Sequence, residues 1–141
     1  MPESITISIQ VSVNAPVSLV WDCWTKDEHI VNWNFAGHDW HCPKAVTDLK
    51  EGGKFNWTMA AKDESFTFDF EGEFTKISAP DTLEYTLLDG RKVKLKFSLV
   101  NSSTLVQEEF EAESENPVEM QQQGWQMILN NFKAYVEGLK I

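Results

Sequence analysis

The stretch PVEMQQQGWQMILNNFKAYVEGL, residues 117–139, decides the fold of this chain. Asn116 and Pro117 suit the N-cap and the first helical position, so a helix of about 22 residues and about 33 Å is predicted. Its large apolar side chains recur every three or four residues and form one stripe: Trp125, Ile128, Leu129, Phe132, Val136 and Leu139. Polar side chains occupy the opposite face, so the apolar stripe has to be buried against another element.

A sheet built from the preceding strands is predicted to cover this stripe. A short strand, 44–49, and a turn at 51–53 come first. Apolar and polar residues then alternate as in half-buried strands in the segments 54–60, 65–77, 83–88, 93–100 and 104–112. Asp89-Gly90 predicts a two-residue hairpin, and Gly72 predicts a bulge or a close approach of the backbone. These segments form an antiparallel meander with one apolar face.

The N-terminal part adds a strand and two short helices. Residues 5–13 alternate as a half-buried strand, and NAP (14–16) then opens a helical pattern. Thr25 and Glu28 have capping-box spacing, which predicts a second short helix running towards Trp33. The fold class is therefore α+β: a curved antiparallel sheet of six to seven strands wrapped around a long C-terminal helix, with two short helices after the first strand. At 141 residues, 1–141 is a single domain.

Composition excludes several classes of partner. The formal net charge is −10, from 22 acidic and 12 basic side chains, so nucleic acid and anionic membranes are expected to be repelled. No apolar run approaches the roughly 18 residues of a spanning helix, and the N-terminus lacks the pattern of a signal peptide. With only Cys23 and Cys42, a cytoplasmic protein with reduced thiols is expected. No glycine-rich nucleotide loop is present, so no cofactor is predicted.

Four motifs, in order along the chain, resemble a known family. They are NAPVSLVWDCWTKDEHIVNW (14–33), DLKEGGKF (48–55), GEFTKISAPDTLEYT (72–86) and QGWQMILNNFKAYV (123–136). Together they are similar to the helix-grip proteins of the START/SRPBCC superfamily, in the branch named for the activator of heat-shock protein 90 ATPase. The resemblance covers nearly the whole chain and implies the helix-grip fold. The superfamily includes hydrophobic-ligand carriers, cyclase-like enzymes and co-chaperone domains, so the fold is implied more strongly than the function.

The chain departs from the family pattern at three places. Lys76 stands where an acidic residue is common, and glutamines precede Gly124-Trp125 where a histidine is frequent. Glu108 occupies a strand position that is usually apolar. The first two departures leave the predicted fold unchanged, but pocket chemistry is not transferred from a relative to this chain.

A sheet that bends around a helix cannot close on it everywhere, so an apolar pocket is expected between them. Aromatic side chains at such a place either fill a core or line a ligand site, and Trp and Tyr add a polar group that can orient a ligand. The candidate lining residues are Trp33, Phe55, Trp57, Phe68, Phe70, Tyr85, Phe110, Trp125 and Ile128.

Glu108 is the charged residue predicted to join them. Val106, Phe110 and Ala112 share its strand parity, which turns Glu108 inward unless a bulge near the strand end turns it to solvent. A carboxyl in an apolar cavity would have a raised pKa and could bind a polar ligand group or act as a general acid or base.

The segment WNFAGHDWHCP (33–43) raises a metal-site hypothesis through His38, His41 and Cys42. Adjacent His41 and Cys42 rarely reach one ion together, and no second cluster supports them, so no metal site is predicted. We interpret the segment as a loop at the rim of the pocket, with Trp40 as a candidate lid.

The leading hypothesis is a binding protein, rather than an enzyme, that holds a hydrophobic or aromatic small molecule between the sheet and the C-terminal helix. The first alternative is a co-chaperone-like domain whose partner is a chaperone. The second is a cyclase- or hydrolase-like enzyme that uses Glu108. Either a monomer or a homodimer is compatible with the pattern.

Overall fold

The computed structural model describes residues 5–35 and 39–139. These residues form seven strands and three helices, and the predicted α+β architecture is confirmed. The elements in chain order are β1 (Thr6–Val13), α1 (Val17–Thr25), α2 (Asp27–Ile30), β2 (Trp40–Thr47), β3 (Lys54–Ala61), β4 (Thr67–Ser78), β5 (Thr82–Leu87), β6 (Lys92–Val100), β7 (Ser103–Glu111) and α3 (Val118–Gly138). No helix in these ranges combines the length and the apolarity needed to cross a membrane.

The sheet is antiparallel throughout, in the order β1-β7-β6-β5-β4-β3-β2. Strands β2 to β7 follow one another as a meander, whereas β1 pairs with the last strand, Thr6 opposite Glu111. The first strand and the last strand are therefore neighbours, and β1 and β2 form the two edges.

The β5–β6 hairpin differs from its prediction. Backbone hydrogen bonds join Leu87 to Arg91 and Gly90 to Leu87, each with an N···O distance of 2.8–2.9 Å. The loop therefore has three residues, 88–90, and not two. Gly90 has φ +94°, the left-handed conformation that ends a three-residue hairpin loop of this kind.

Gly72 is a site of close approach, as predicted. A β-carbon there would lie 2.8 Å from Cζ of Phe55 and 2.6 Å from the carbonyl oxygen of Thr86. The irregularity in β4 lies further along, between Phe74 and Lys76. The absence of a side chain at residue 72 thus lets the Phe55 ring lie flat against the sheet.

The capping box predicted at Thr25 is wrong. Thr25 is the last residue of α1, and its hydroxyl donates to the carbonyl oxygen of Trp21 at 2.8 Å. Helix α2 has only four residues, and Lys26 at its N-cap makes no side-chain capping bond. Cys23 in α1 is completely buried. Cys23, Trp24 and Thr25 at the C-terminal end of α1 are therefore all buried, whereas the Asp22 side chain is 45% exposed.

Helix α3 begins at Val118, one residue later than predicted, with Pro117 at the N-cap. The side chain of Gln121 secures this end: it accepts from the Glu113 amide at 2.9 Å and donates to the Asn116 carbonyl at 2.8 Å. Leu129, Phe132 and Val136 of the predicted stripe are fully buried, and the other members are half-buried. The stripe therefore packs on the concave face of the sheet as expected.

The same helix also covers the edge of β1. Nζ of Lys133 donates to the Ser12 carbonyl at 2.6 Å, and Nε2 of Gln126 donates to the Gln10 carbonyl at 3.3 Å. The Asn14 amide donates to the Glu137 carboxylate at 2.8 Å. Side chains of α3 thus satisfy edge groups that would otherwise be free to pair with another strand.

Candidate functional site

A cavity of ≈270 Å³ lies between the sheet and the N-terminal half of α3. The loop after α2, the β5–β6 loop and the segment before α3 complete its walls. The lining residues are Trp24, Trp33, Asn34, Trp57, Met59, Phe68, Phe70, Tyr85, Arg91, Glu108, Glu113, Asn116, Gln121, Trp125 and Ile128.

Two layers of aromatic rings build its walls. Trp57 on β3 and Phe70 on β4 are cross-strand partners, with ring centroids 5.9 Å apart and planes 20° apart. Trp125 on α3 stacks on Phe110 at 3.8 Å, and Phe55 packs against Trp57 at 4.3 Å. Phe55 and Phe110 are therefore a supporting layer, because another ring lies between each of them and the cavity.

Glu108 is buried against the cavity from β7. Its side chain points inward with Val106 and Phe110, and its strand neighbours are Ile9 on β1 and Leu95 on β6. The residue is 4% exposed, and its carboxyl has no hydrogen-bond partner in the described part of the chain. Burial raises its pKa from 4.5 to about 8, because an apolar environment disfavours the charged form. The carboxyl is therefore mostly protonated at neutral pH.

Tyr85 on β5 shares this environment. It is 2% exposed, and its hydroxyl makes no hydrogen bond to any described residue. Its pKa is raised well above the usual value, first by burial and then by the negative charge of Glu108. Within the described ranges, Nε1 of Trp24 and Nδ2 of Asn34 are also buried without a partner. Unsatisfied polar groups are uncommon in protein interiors, and Trp24 and Asn34, which both line this cavity, carry one each.

Trp40 lies at the rim and does not line the cavity. The prediction of a loop lid is wrong in its geometry, because Trp40 begins strand β2 and pairs with Ala61. Its ring contacts Phe66 and Phe68 with centroid distances of 6.0 and 5.8 Å. Phe66 is 58% exposed and Phe68 is 38% exposed, so these three rings form an exposed cluster, the rim cluster, beside the cavity.

The remaining candidates of that segment do not assemble. His41 is exposed on β2 and Cys42 is buried, while His38 lies outside the described residues. Burial raises the pKa of the Cys42 thiol to about 11, which leaves it protonated and unreactive. Across 5–35 and 39–139, no group of three or more potential metal ligands is within reach of one ion.

The structure brings most of the predicted residues to one place and adds others. The predicted residues that line the cavity are Trp33, Trp57, Phe68, Phe70, Tyr85, Glu108, Trp125 and Ile128. Trp24 and Met59 lie in segments whose periodicity predicts a buried face, but periodicity does not indicate which residues of such a face reach the cavity. Arg91, Glu113 and Asn116 come from loops, where no periodic pattern indicates their direction.

Comparison with known proteins supports this architecture. A family model described as Activator of Hsp90 ATPase homolog 1-like protein matches residues 14–137. The solution structure of an AHSA1-like protein from Aeromonas hydrophila is 43% identical, with a TM-score of 0.91 over 96% of this chain and 94% of that one. A solution structure from Cytophaga hutchinsonii is 46% identical, with a TM-score of 0.82 over 95% and 93% of the two chains. A crystal structure from Nitrosomonas europaea shares the fold at 19% identity and a TM-score of 0.83, over 96% of each chain. No curated protein matches the chain.

Proposed function

Since this chain belongs to the Activator of Hsp90 ATPase homolog 1-like family and has its SRPBCC fold, we propose that it binds a small apolar or aromatic molecule between its sheet and α3. The observation that carries the proposal is the cavity itself: ring faces on several sides and a buried carboxyl, that of Glu108, without a partner within the described residues. Such a combination of apolar walls and a few convergent polar groups is typical of small-molecule sites.

The dimensions suit a compact ligand. The ≈270 Å³ cavity is near the lower end of the roughly 300–1,000 Å³ found for small-molecule pockets. One or two fused rings would fit between Trp57 and Trp125, which lie on the sheet side and the helix side of the cavity. Glu108 and Tyr85 would then orient a polar substituent.

Thermal unfolding with 1-naphthalenemethanol, a neutral two-ring probe, tests the proposal. At ten times its Kd a ligand stabilises the fold by about 1.4 kcal/mol. For a chain of this size, Tm should rise by about 3–6 °C. Ile128→Trp places a larger ring in the cavity and should abolish the shift, whereas Met127→Trp, at the neighbouring exposed position, should preserve it. An unchanged Tm at saturating probe, or equal shifts in both variants, would contradict the proposal.

The rim cluster favours a second candidate, a co-chaperone-like docking role. Exposed aromatic side chains are enriched at protein interfaces, and Phe66 is 58% exposed beside Trp40 and Phe68. If this surface docks a heat-shock protein 90-type chaperone, Phe66→Ser should weaken that association and leave naphthalenemethanol binding unchanged. Leu99→Ser, at an equally exposed apolar position on β6, is the matched control. Equal chaperone affinity of the two variants would exclude the rim cluster as the docking surface.

A further inference from the structure

We propose that the cavity selects molecules in which an aromatic ring carries a basic nitrogen, and that this nitrogen binds as a cation against the Glu108 carboxylate. The proposal rests on the ligand-binding function above and names its ligand class.

No positively charged group in the described cavity walls is paired with Glu108. Its surroundings on β1 and β6 are Ile9 and Leu95, and the two short helices and β3–β4 contribute only uncharged lining residues. Helix α3 likewise contributes uncharged lining residues: Gln121, Trp125 and Ile128. The titratable or charged groups in the lining are therefore Tyr85 on β5, Arg91 in the β5–β6 loop and Glu113 after β7.

Arg91 is the lining residue that could supply a positive charge, and it is already engaged. Its Nε donates to Asp89 Oδ2 at 2.7 Å, and its backbone amide donates to the other oxygen of the same carboxylate at 3.1 Å. Glu113 is also engaged, since its carboxylate accepts from the Asn116 amide at 2.7 Å. Glu108 is thus a buried carboxyl that is not paired with any cation of the described cavity walls.

Two interactions in the cavity would favour the binding of a protonated amine. A protonated amine would turn the buried carboxyl into a carboxylate with a charge-assisted hydrogen bond, which is stronger than a neutral one. The lining rings of Trp57, Phe70, Tyr85 and Trp125 present electron-rich faces that also attract a cation. Both interactions are stronger in an apolar environment than in water.

The same site disfavours the binding of acids. A carboxylate ligand would meet Glu108 in a lining whose described cation, Arg91, already pairs with Asp89, and would approach a protein of net charge −10. A neutral alcohol would bind with Glu108 still protonated. The expected order of affinity is therefore ammonium, then alcohol, then carboxylate.

The proton balance gives a specific signature. Below the pKa of Glu108, the free protein carries the neutral acid and the amine is already a cation. Binding then forms an ammonium–carboxylate pair, and the proton from the Glu108 carboxyl is released to the buffer. The alcohol forms no ion pair and releases none.

Isothermal titration calorimetry with three probes of one shape tests this class: 1-naphthylmethylamine, 1-naphthalenemethanol and 1-naphthoic acid. At pH 6.5, in two buffers of different ionisation enthalpy, the amine should bind at least tenfold more tightly than the alcohol and release about one proton. For a group of pKa about 8, amine affinity should rise about eightfold between pH 6.5 and 7.5. The acid should bind more weakly than the alcohol.

Two variants locate the effect. Glu108→Gln keeps the shape but cannot ionise, so the preference for the amine and the proton release should both disappear. Glu109→Gln removes the same charge from the next, exposed position of β7 and should behave as the unmodified protein. An amine preference that survives Glu108→Gln would overturn the assignment, and the three-probe series on the unmodified protein stands even if that variant does not fold.

The outcomes separate the two proposals. Equal affinity for the amine and the alcohol would overturn the inference about ligand class and leave ligand binding intact. Failure of all three probes to bind would overturn both.

Discussion

At the scale of single residues, Glu108 links the stability of the fold to pH. Its pKa is about 8 in the folded chain, and the ordinary value of 4.5 applies in the unfolded chain. Between these two pH values only the folded chain therefore holds the proton. The contribution of Glu108 to the free energy of unfolding is therefore highest below pH 4.5 and decreases as pH rises to about 8. The full decrease attributable to this group is of the order of 5 kcal/mol.

Urea denaturation between pH 5 and 8 measures this effect. Because the Glu108→Gln amide cannot ionise, the variant should gain stability relative to the unmodified protein as pH rises, by about 2–4 kcal/mol at pH 8. The exposed control Glu109→Gln should follow the unmodified protein. Parallel curves for the unmodified protein and Glu108→Gln would mean that the buried carboxyl does not titrate as described.

Substitution of alanine for glycine should change the stability of the fold in opposite directions at two positions. Gly72→Ala places a β-carbon within 3 Å of the Thr86 carbonyl and the Phe55 ring, and should destabilise the fold by about 1–3 kcal/mol. At Gly124 in α3 no atom lies within 4 Å of the new carbon, so Gly124→Ala should stabilise by about 0.5–1 kcal/mol. Urea midpoints of both variants check the prediction, and a shift of the same sign in both would refute it.

At the scale of elements, α3 both fills the concave face and covers an edge. Lys133→Ala removes the donor to the Ser12 carbonyl on β1, and should cost about 1 kcal/mol and promote self-association through the freed edge. Lys94→Ala, on the solvent face of β6, removes the same charge without touching an edge. Size-exclusion chromatography at increasing concentration compares the two, and indistinguishable elution would argue against edge protection by Lys133.

Periodicity explains how much of these elements could be predicted. The stripe of α3 identified its buried face correctly. The alternation of β7 left Glu108 either inward or turned to solvent by a bulge, and the structure has it inward. Local motifs were less informative: the Thr25–Glu28 spacing also fits a helix that simply continues to Thr25, which is what occurs. In β2 a register shift between His41 and Lys44 breaks the alternation, so the strand containing Trp40 was interpreted as a loop.

Sequence patterns also do not indicate how deeply a side chain lies within a buried face. Phe110 and Glu108 have the same parity, yet Phe110 lies behind the Trp125 ring and Glu108 lines the cavity. The direction of Arg91 depends on a three-residue loop and on its pairing with Asp89, neither of which alternation describes.

At the scale of the whole molecule, the acidic surface should oppose compaction. With a net charge of −10, like charges repel one another more strongly in the folded state than in the extended chain. Raising the salt concentration from 50 to 500 mM NaCl at pH 7.5 should therefore raise Tm, because the screening length falls. Near pH 4.6, the isoelectric point, the same change should have little effect, and an equal shift at both pH values would point to a cause other than charge.

The pairing of β1 with β7 has a consequence for biosynthesis. Thr6 pairs with Glu111, which is 105 residues later in the chain (111 − 6), so β1 cannot pair until those residues have been synthesised. At translation speeds of roughly 5–20 residues per second, that interval lasts about 5–20 s. During this interval β1 has no partner strand, so the sheet cannot close before residue 111 has been synthesised.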